Sequence, residues 1–192
     1  MLLRPTLRTG LNLSRSLFSR SLLHTDANHA RGLYWHDLGQ RDNQPVYALS
    51  FLKEEPVSPY SITNIGLVRG KELNEKTFEP GRDWVQLVNA ILGQRFTDSI
   101  LLQTQAQTRP IDGYIHINDE RNLPDENRVA DPDDILAMCL VQQGKLVPGS
   151  WEAMPTYRLY SPRLGGLMCL NQELHDLLVQ GLQVARQMEL EG

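Results

Sequence analysis

His116 is followed within a short stretch by seven carboxyl groups, those of Asp119, Glu120, Asp125, Glu126, Asp131, Asp133 and Asp134. An imidazole beside a carboxylate is the minimum equipment for general acid–base catalysis, and grouped carboxylates are the donors a hard divalent cation takes. The catalytic candidates are therefore His116 as acid or base, with Asp119 or Glu120 as the orienting carboxylate. The spacing fits no metal motif: there is no His-x-x-x-His, no Cys-x-x-Cys and no EF-hand loop with its glycine and terminal glutamate. No metal is expected here. The same residues admit two other uses. Arg121 and Arg128 can pair with the carboxylates and fix the path of the loop, or Asp119, Glu120, Asp125 and Glu126 can face outward and dock a basic protein partner.

Other chemistry finds less support. Ser150, in PGSWE, is not in a Gly-x-Ser-x-Gly elbow, and Cys139 and Cys169 sit in apolar runs (AMCLV and LMCL) where a thiol packs as a small hydrophobe. Neither a Walker pattern nor a Gly-x-Gly-x-x-Gly fingerprint occurs, so no nucleotide cofactor is expected.

The elements that must position these residues can be read from periodicity. VYALSFL (46–52) and SITNIGLV (61–68) have strand composition, and GYIHI (113–117) alternates, with Tyr114 and His116 on one face and Ile115 and Ile117 on the other. Trp84, Leu87, Val88, Ile91 and Leu92 recur at helical spacing and predict a helix over 82–94. A second helix is expected from Asp98 to Gln107 with Thr97 as N-cap, and a last one from an Asn171 N-cap, carrying Leu174, Leu177, Leu178 and Leu182 on one side. Between Asn118 and Asp134 the sequence is almost all turn formers and charges, with a helical turn expected at 132–136, where Asp131-Pro132 resembles an N-cap followed by proline. Gln143-Gly144 then predicts a hairpin. This order predicts an α+β domain, a mainly antiparallel sheet packed against two or three helices.

Residues 1–25 contain Arg4, Arg8, Arg15 and Arg20, four serines and no acid. Arg-rich, Ser-rich, acid-free and amphipathic, they have the composition of a cleaved mitochondrial transit peptide, addressed to the import machinery. The expected organisation is a leader over 1–25, a polar linker or arm over 26–45 and a single domain over 46–190. Without the leader, 15 basic residues face 23 acidic ones. Such a balance argues against nucleic-acid binding through phosphate attraction, and no apolar run is long enough to span a membrane. The expectation is a mitochondrial protein, in the matrix, that works as an accessory or assembly factor by binding another protein. The alternative is a small enzyme with a pocket near 114–134 that uses His116 and a nearby carboxylate.

Overall fold

A computed structural model describes residues 22–23, 32–125, 128–163 and 166–192, and among these, alternating and helical apolar patterns give antiparallel sheets and three helices. Among these, strands β1 (Leu22–Leu23), β2 (Tyr34–Arg41), β3 (Gln44–Ser50), β4 (Gly66–Arg69) and β5 (Phe78–Pro80) form one sheet in that spatial order. A second sheet sets β6 (Gly113–Asn118) beside β7 (Ile135–Gln142), and β7 also pairs with β8 (Lys145–Leu146) and β9 (Glu152–Ala153). A short ribbon joins β10 (Tyr160–Ser161) to β11 (Gly166–Leu167). Every pairing is antiparallel. The helices are α1 (Trp84–Arg95), α2 (Ile100–Thr108) and α3 (Gln172–Glu191). The expected α+β domain is present, with its strands divided among three sheets. One hydrophobic cluster joins the layers, including Leu49, Val68, Trp84, Leu92, Leu136 and Leu178. No helix among the described residues is long and apolar enough to cross a membrane.

The polar segment expected as an arm over 26–45 is corrected from residue 34 onward, because it supplies all of β2 and the start of β3. Its polarity hides a hairpin. Asp42 and Asn43 both take positive φ, 50° and 61°, as a two-residue turn matched to strand twist requires. A register shift between Asp37 and Gln40, with Gly39 at φ 87°, interrupts the alternation. His36 in this strand is buried; its Nε2–H donates to the Leu52 carbonyl at 3.0 Å, and desolvation lowers its pKa. Residues 1–21 and 24–31 of the expected leader and arm lie outside the described residues, whereas Leu22 and Leu23 pair with Trp35 and Tyr34.

The strand expected over 61–68 begins only at Gly66. Upstream, short polar side chains bond to nearby groups instead of leaving the backbone to a ladder. Thr63 N–H donates to Ser61 Oγ, and the Asn64 amide donates to the Ser58 and Pro59 carbonyls. α3 holds this loop from the other side through Glu189, which accepts from Ser61 Oγ and from Ile62 N–H at 3.0 Å. A second α3 glutamate does the same for α2. Glu173 accepts from Ser99 Oγ (2.7 Å) and from the Ile100 and Leu101 N–H groups (2.8 and 2.9 Å), and these bonds lower its pKa. The α2 N-cap is Ser99, whose Oγ accepts from Leu102 N–H, rather than Thr97. His175, one residue beyond Leu174 on α3, is buried edge-on against Phe51.

The hairpin at Gln143-Gly144 forms as expected, both residues at positive φ (50° and 72°), as does the turn after Asp131, a 3-10 turn over Pro132–Asp134. Cys139 is a buried thiol whose pKa desolvation raises to about 11, and Cys169 is half-buried.

Gly66 marks the closest approach of β4 and β5. A Cβ there meets the Glu79 carbonyl oxygen and the Phe78 ring, and the backbone oxygen cannot retreat without breaking the Gly66–Pro80 register. Gly66→Ala is expected to cost about 1–3 kcal/mol of stability. Urea unfolding measures it, and an unchanged midpoint would contradict the close packing.

Candidate functional site

Alternation along β6 sends Ile115 and Ile117 into the core and leaves Tyr114 and His116 exposed. A bulge between Ile117 and Asn118 then re-aims the chain. The next residue, Asp119, is drawn inward: its N–H donates to the Asp134 carbonyl (2.8 Å), and the Glu120 N–H donates to the Cys169 carbonyl (2.7 Å).

Asp119 is 0% exposed, and its carboxylate is fully engaged. Oδ1 accepts from the Arg121 and Cys169 N–H groups, each at 3.0 Å. Oδ2 accepts from Tyr157 OH at 2.7 Å and pairs with Arg121 Nη2 at 3.0 Å. A carboxylate has about four lone-pair sites, and all are used. Arg121 is the opposite pole. Its Nη1 donates to the Leu159 and Gly166 carbonyls (3.2 and 2.9 Å), and its Nη2 donates to the Arg158 carbonyl (2.7 Å). The guanidinium also lies 5.9 Å from the centre of the Tyr157 ring and 3.8 Å from Asp134.

Asp134, also buried, accepts from Asn122 Nδ2 (2.8 Å) and Arg163 Nη2 (3.3 Å). Further out, Arg163 pairs with Asp131 at 2.7 Å and Arg158 with Asp133 at 3.0 Å. Both ends of the acidic loop are thus clamped to the 157–169 segment. Desolvation, then the Asp119 charge, raises the pKa of Tyr157 well above its usual 10. The phenol stays a donor.

This geometry sorts the sequence candidates. Asp119 is corrected as a docking residue: a wholly buried carboxylate with no free acceptor site cannot meet a partner. Glu120 is half-buried, Asp125 is exposed beside Arg128 at 3.7 Å, and Glu126 lies outside the described residues. His116 is not brought to Asp119, because one side chain stands on the solvent face of β6 and the other enters the core. Of the three uses considered for the loop, the structural one is realised at Arg121 and, on the surface, at Arg128. Tyr157, Asn122, Arg158 and Arg163 complete the network and were not singled out from sequence. The available signal was charge: seven acids face only two arginines within 118–134, and the tyrosine and two more arginines stand together in PTYRLYSPR.

Two cavities lie elsewhere. One of about 380 Å3 is enclosed by the 59–64 loop, the start of β4 and the entry to α1, including Tyr60, Asn64, Arg82 and Trp84. Another, of about 250 Å3, lies between Gln103 and Gln107 of α2 and the Gly144–Pro148 turn. His116, Asp119, Glu120 and Asp131 line neither. Trp151 is half-buried against Phe96, its Nε1–H donating to Asn89 Oδ1 at 2.9 Å. Comparison of the chain with protein-family models, with curated proteins and with solved structures returns no match.

Removing the guanidinium strips the buried Asp119 carboxylate of its counter-ion. Arg121→Met is expected to destabilise the fold by about 3–5 kcal/mol in chemical denaturation, the usual cost of breaking a buried pair from one side. A loss below about 1 kcal/mol would show that the network does not hold the fold. The Tyr157 phenol sets an alkaline limit. Below pH 10 it is protonated whether the chain is folded or unfolded; above pH 10 only the unfolded chain ionises it, so stability falls as pH rises toward the folded-state pKa. Denaturation at stepped pH should show this decline in the native protein and a shallower one in Tyr157→Phe.

Proposed function

We propose that this protein is a mitochondrial accessory or assembly factor that binds a protein partner through the loop between Asp119 and Asp134. One observation carries the reading: Leu123 and Val129 are 63% and 70% exposed on a loop whose two ends are clamped by the Asp119–Arg121–Asp134 network. Large apolar side chains held in water on a fixed base are the form a binding surface takes, because their ordering cost is met before the partner arrives. Asp125 and Arg128 give that surface a polar rim. The mitochondrial address in this proposal rests on the acid-free, arginine-bearing first 25 residues. The acid–base alternative needs His116 beside an available carboxylate in a cavity, and no such grouping among the described residues supports it.

The test is affinity purification of the tagged protein from the mitochondrial matrix, followed by mass spectrometry, for the native chain and for Leu123→Ser/Val129→Ser. Both substitutions are at exposed positions, so thermal stability should stay within about 0.5 kcal/mol of the native value. A defined co-purifying protein should fall at least about tenfold, the loss expected when a small apolar anchor is removed. Equal recovery with the double variant would refute the loop as the binding surface.

A further inference from the structure

Among the described residues β6 pairs only with β7, so its other edge is open. The hydrogen bonds of β7 show which β6 groups face that edge. Leu140 accepts from Val147 N–H (2.9 Å) and donates its own N–H to Ser150 Oγ (3.0 Å), both on the side away from β6. Tyr114 stands opposite Leu140 and His116 opposite Met138, and directly opposed antiparallel residues either exchange both backbone bonds or both turn away. Tyr114 and His116 therefore aim their N–H and C=O groups at the open edge. Arg109 Nη1 donates to the Tyr114 carbonyl from that side. The outward ladder is short. Gly113, at φ 153°, leaves extended geometry at one end, and the bulge between Ile117 and Asn118 interrupts it at the other.

We propose that this edge pairs with the same edge of a second copy of the chain, antiparallel, about a two-fold axis at Ile115. The inference goes beyond the partner-binding reading and does not depend on it. Self-complementarity selects the occupant. In this register Tyr114 of each copy stands opposite His116 of the other, and each opposed pair exchanges both backbone bonds, so four bonds satisfy the outward groups of all four residues. An axis at Tyr114 or at His116 keeps the bonding parity but draws Asp112 or Asn118 into the ladder, beyond Gly113 or the bulge. Ile115 meets its own copy in the closer, non-hydrogen-bonded kind of pair, an apolar contact on the core face. On the opposite face each exposed Tyr114 ring lies across from an imidazole. Gly113–Asn118 holds no charged side chain, so two acid-rich chains meet along this strand without like charges opposed. The Arg109 guanidinium is a guard: it covers the Tyr114 carbonyl of the single chain and must leave as the His116 N–H of the copy arrives.

The test is disulfide trapping with full-length Tyr114→Cys and His116→Cys variants, both at exposed positions. Opposed Cα atoms in a hydrogen-bonded antiparallel pair lie about 5.5 Å apart, within disulfide reach. Under mild oxidation a mixture of the two variants should give a cross-linked dimer. Each variant alone, and the native chain, should give at least tenfold less, because equivalent residues stand two positions out of register. Sedimentation equilibrium of the native chain should show monomer and dimer with Kd below about 1 mM. His116→Pro removes an outward N–H that the β6–β7 ladder does not use and should weaken pairing at least tenfold, whereas Arg109→Ala should tighten it at least threefold. A monomer at all concentrations up to about 1 mM, no cross-link in the mixture, equal cross-linking of either variant alone, undiminished pairing of folded His116→Pro, or no tightening by Arg109→Ala overturns the proposal. The cysteine mixture keeps the test decisive even if the proline variant does not fold.

Discussion

The Asp119 carboxylate organises the middle of this molecule because it is buried with every acceptor site filled by groups from three separate segments. The 3-10 turn Glu120–Asn122, which Asp119 caps, supplies the Arg121 N–H and guanidinium, the segment after β9 supplies the Tyr157 hydroxyl, and the approach to α3 supplies the Cys169 N–H. Burying a charge without such company costs several kcal/mol, so the three segments must arrive together for any of them to be stable there. Arg121 extends the requirement by donating to three carbonyls between Arg158 and Gly166. A chain region with little regular structure is thereby tied at both ends to the segment between Tyr157 and Cys169.

α3 applies related logic to the other half of the domain. Glu173 near its start satisfies the first N–H groups of α2, and Glu189 near its end satisfies Ser61 and Ile62. Arg186, between them, donates to the Glu55 carbonyl at 3.1 Å. One long helix thus buries Leu174, Leu178 and Leu182 on its apolar side while its flanks terminate loops and helices that lack complete caps of their own. Its many polar side chains are partly committed to other segments, a use that helical periodicity alone does not reveal.

Much of the fold was legible locally. α1 and α3 were visible in their apolar spacing and in the Asn171 cap, the β7–β8 hairpin in Gln143-Gly144, and the alternation of β6 in GYIHI. The first hairpin was hidden because β2 is polar on its outer positions and carries a bulge at Gly39, so its two-residue period never runs long enough to register. Its turn, Asp42-Asn43, was the readable clue, since both residue types tolerate positive φ. The shortened β4 has the opposite cause: Ser61, Thr63 and Asn64 look acceptable in a strand, but their side chains compete for local backbone groups.

For the candidate site, the sequence by itself determined that an acid-rich loop follows an alternating strand, that arginines are available to neutralise it, and that the first 25 residues are basic and free of acid. These are properties of composition and short-range order, which a chain carries before it folds. Only the tertiary structure decided that Asp119 and Asp134 are interior while Asp125, Leu123 and Val129 face water. That choice depends on Tyr157, Arg163 and the Cys169 backbone, roughly 30 to 50 residues away along the chain. Burial of a carboxylate is set by the donors that surround it in space, and neither its residue type nor its neighbours in sequence specify them.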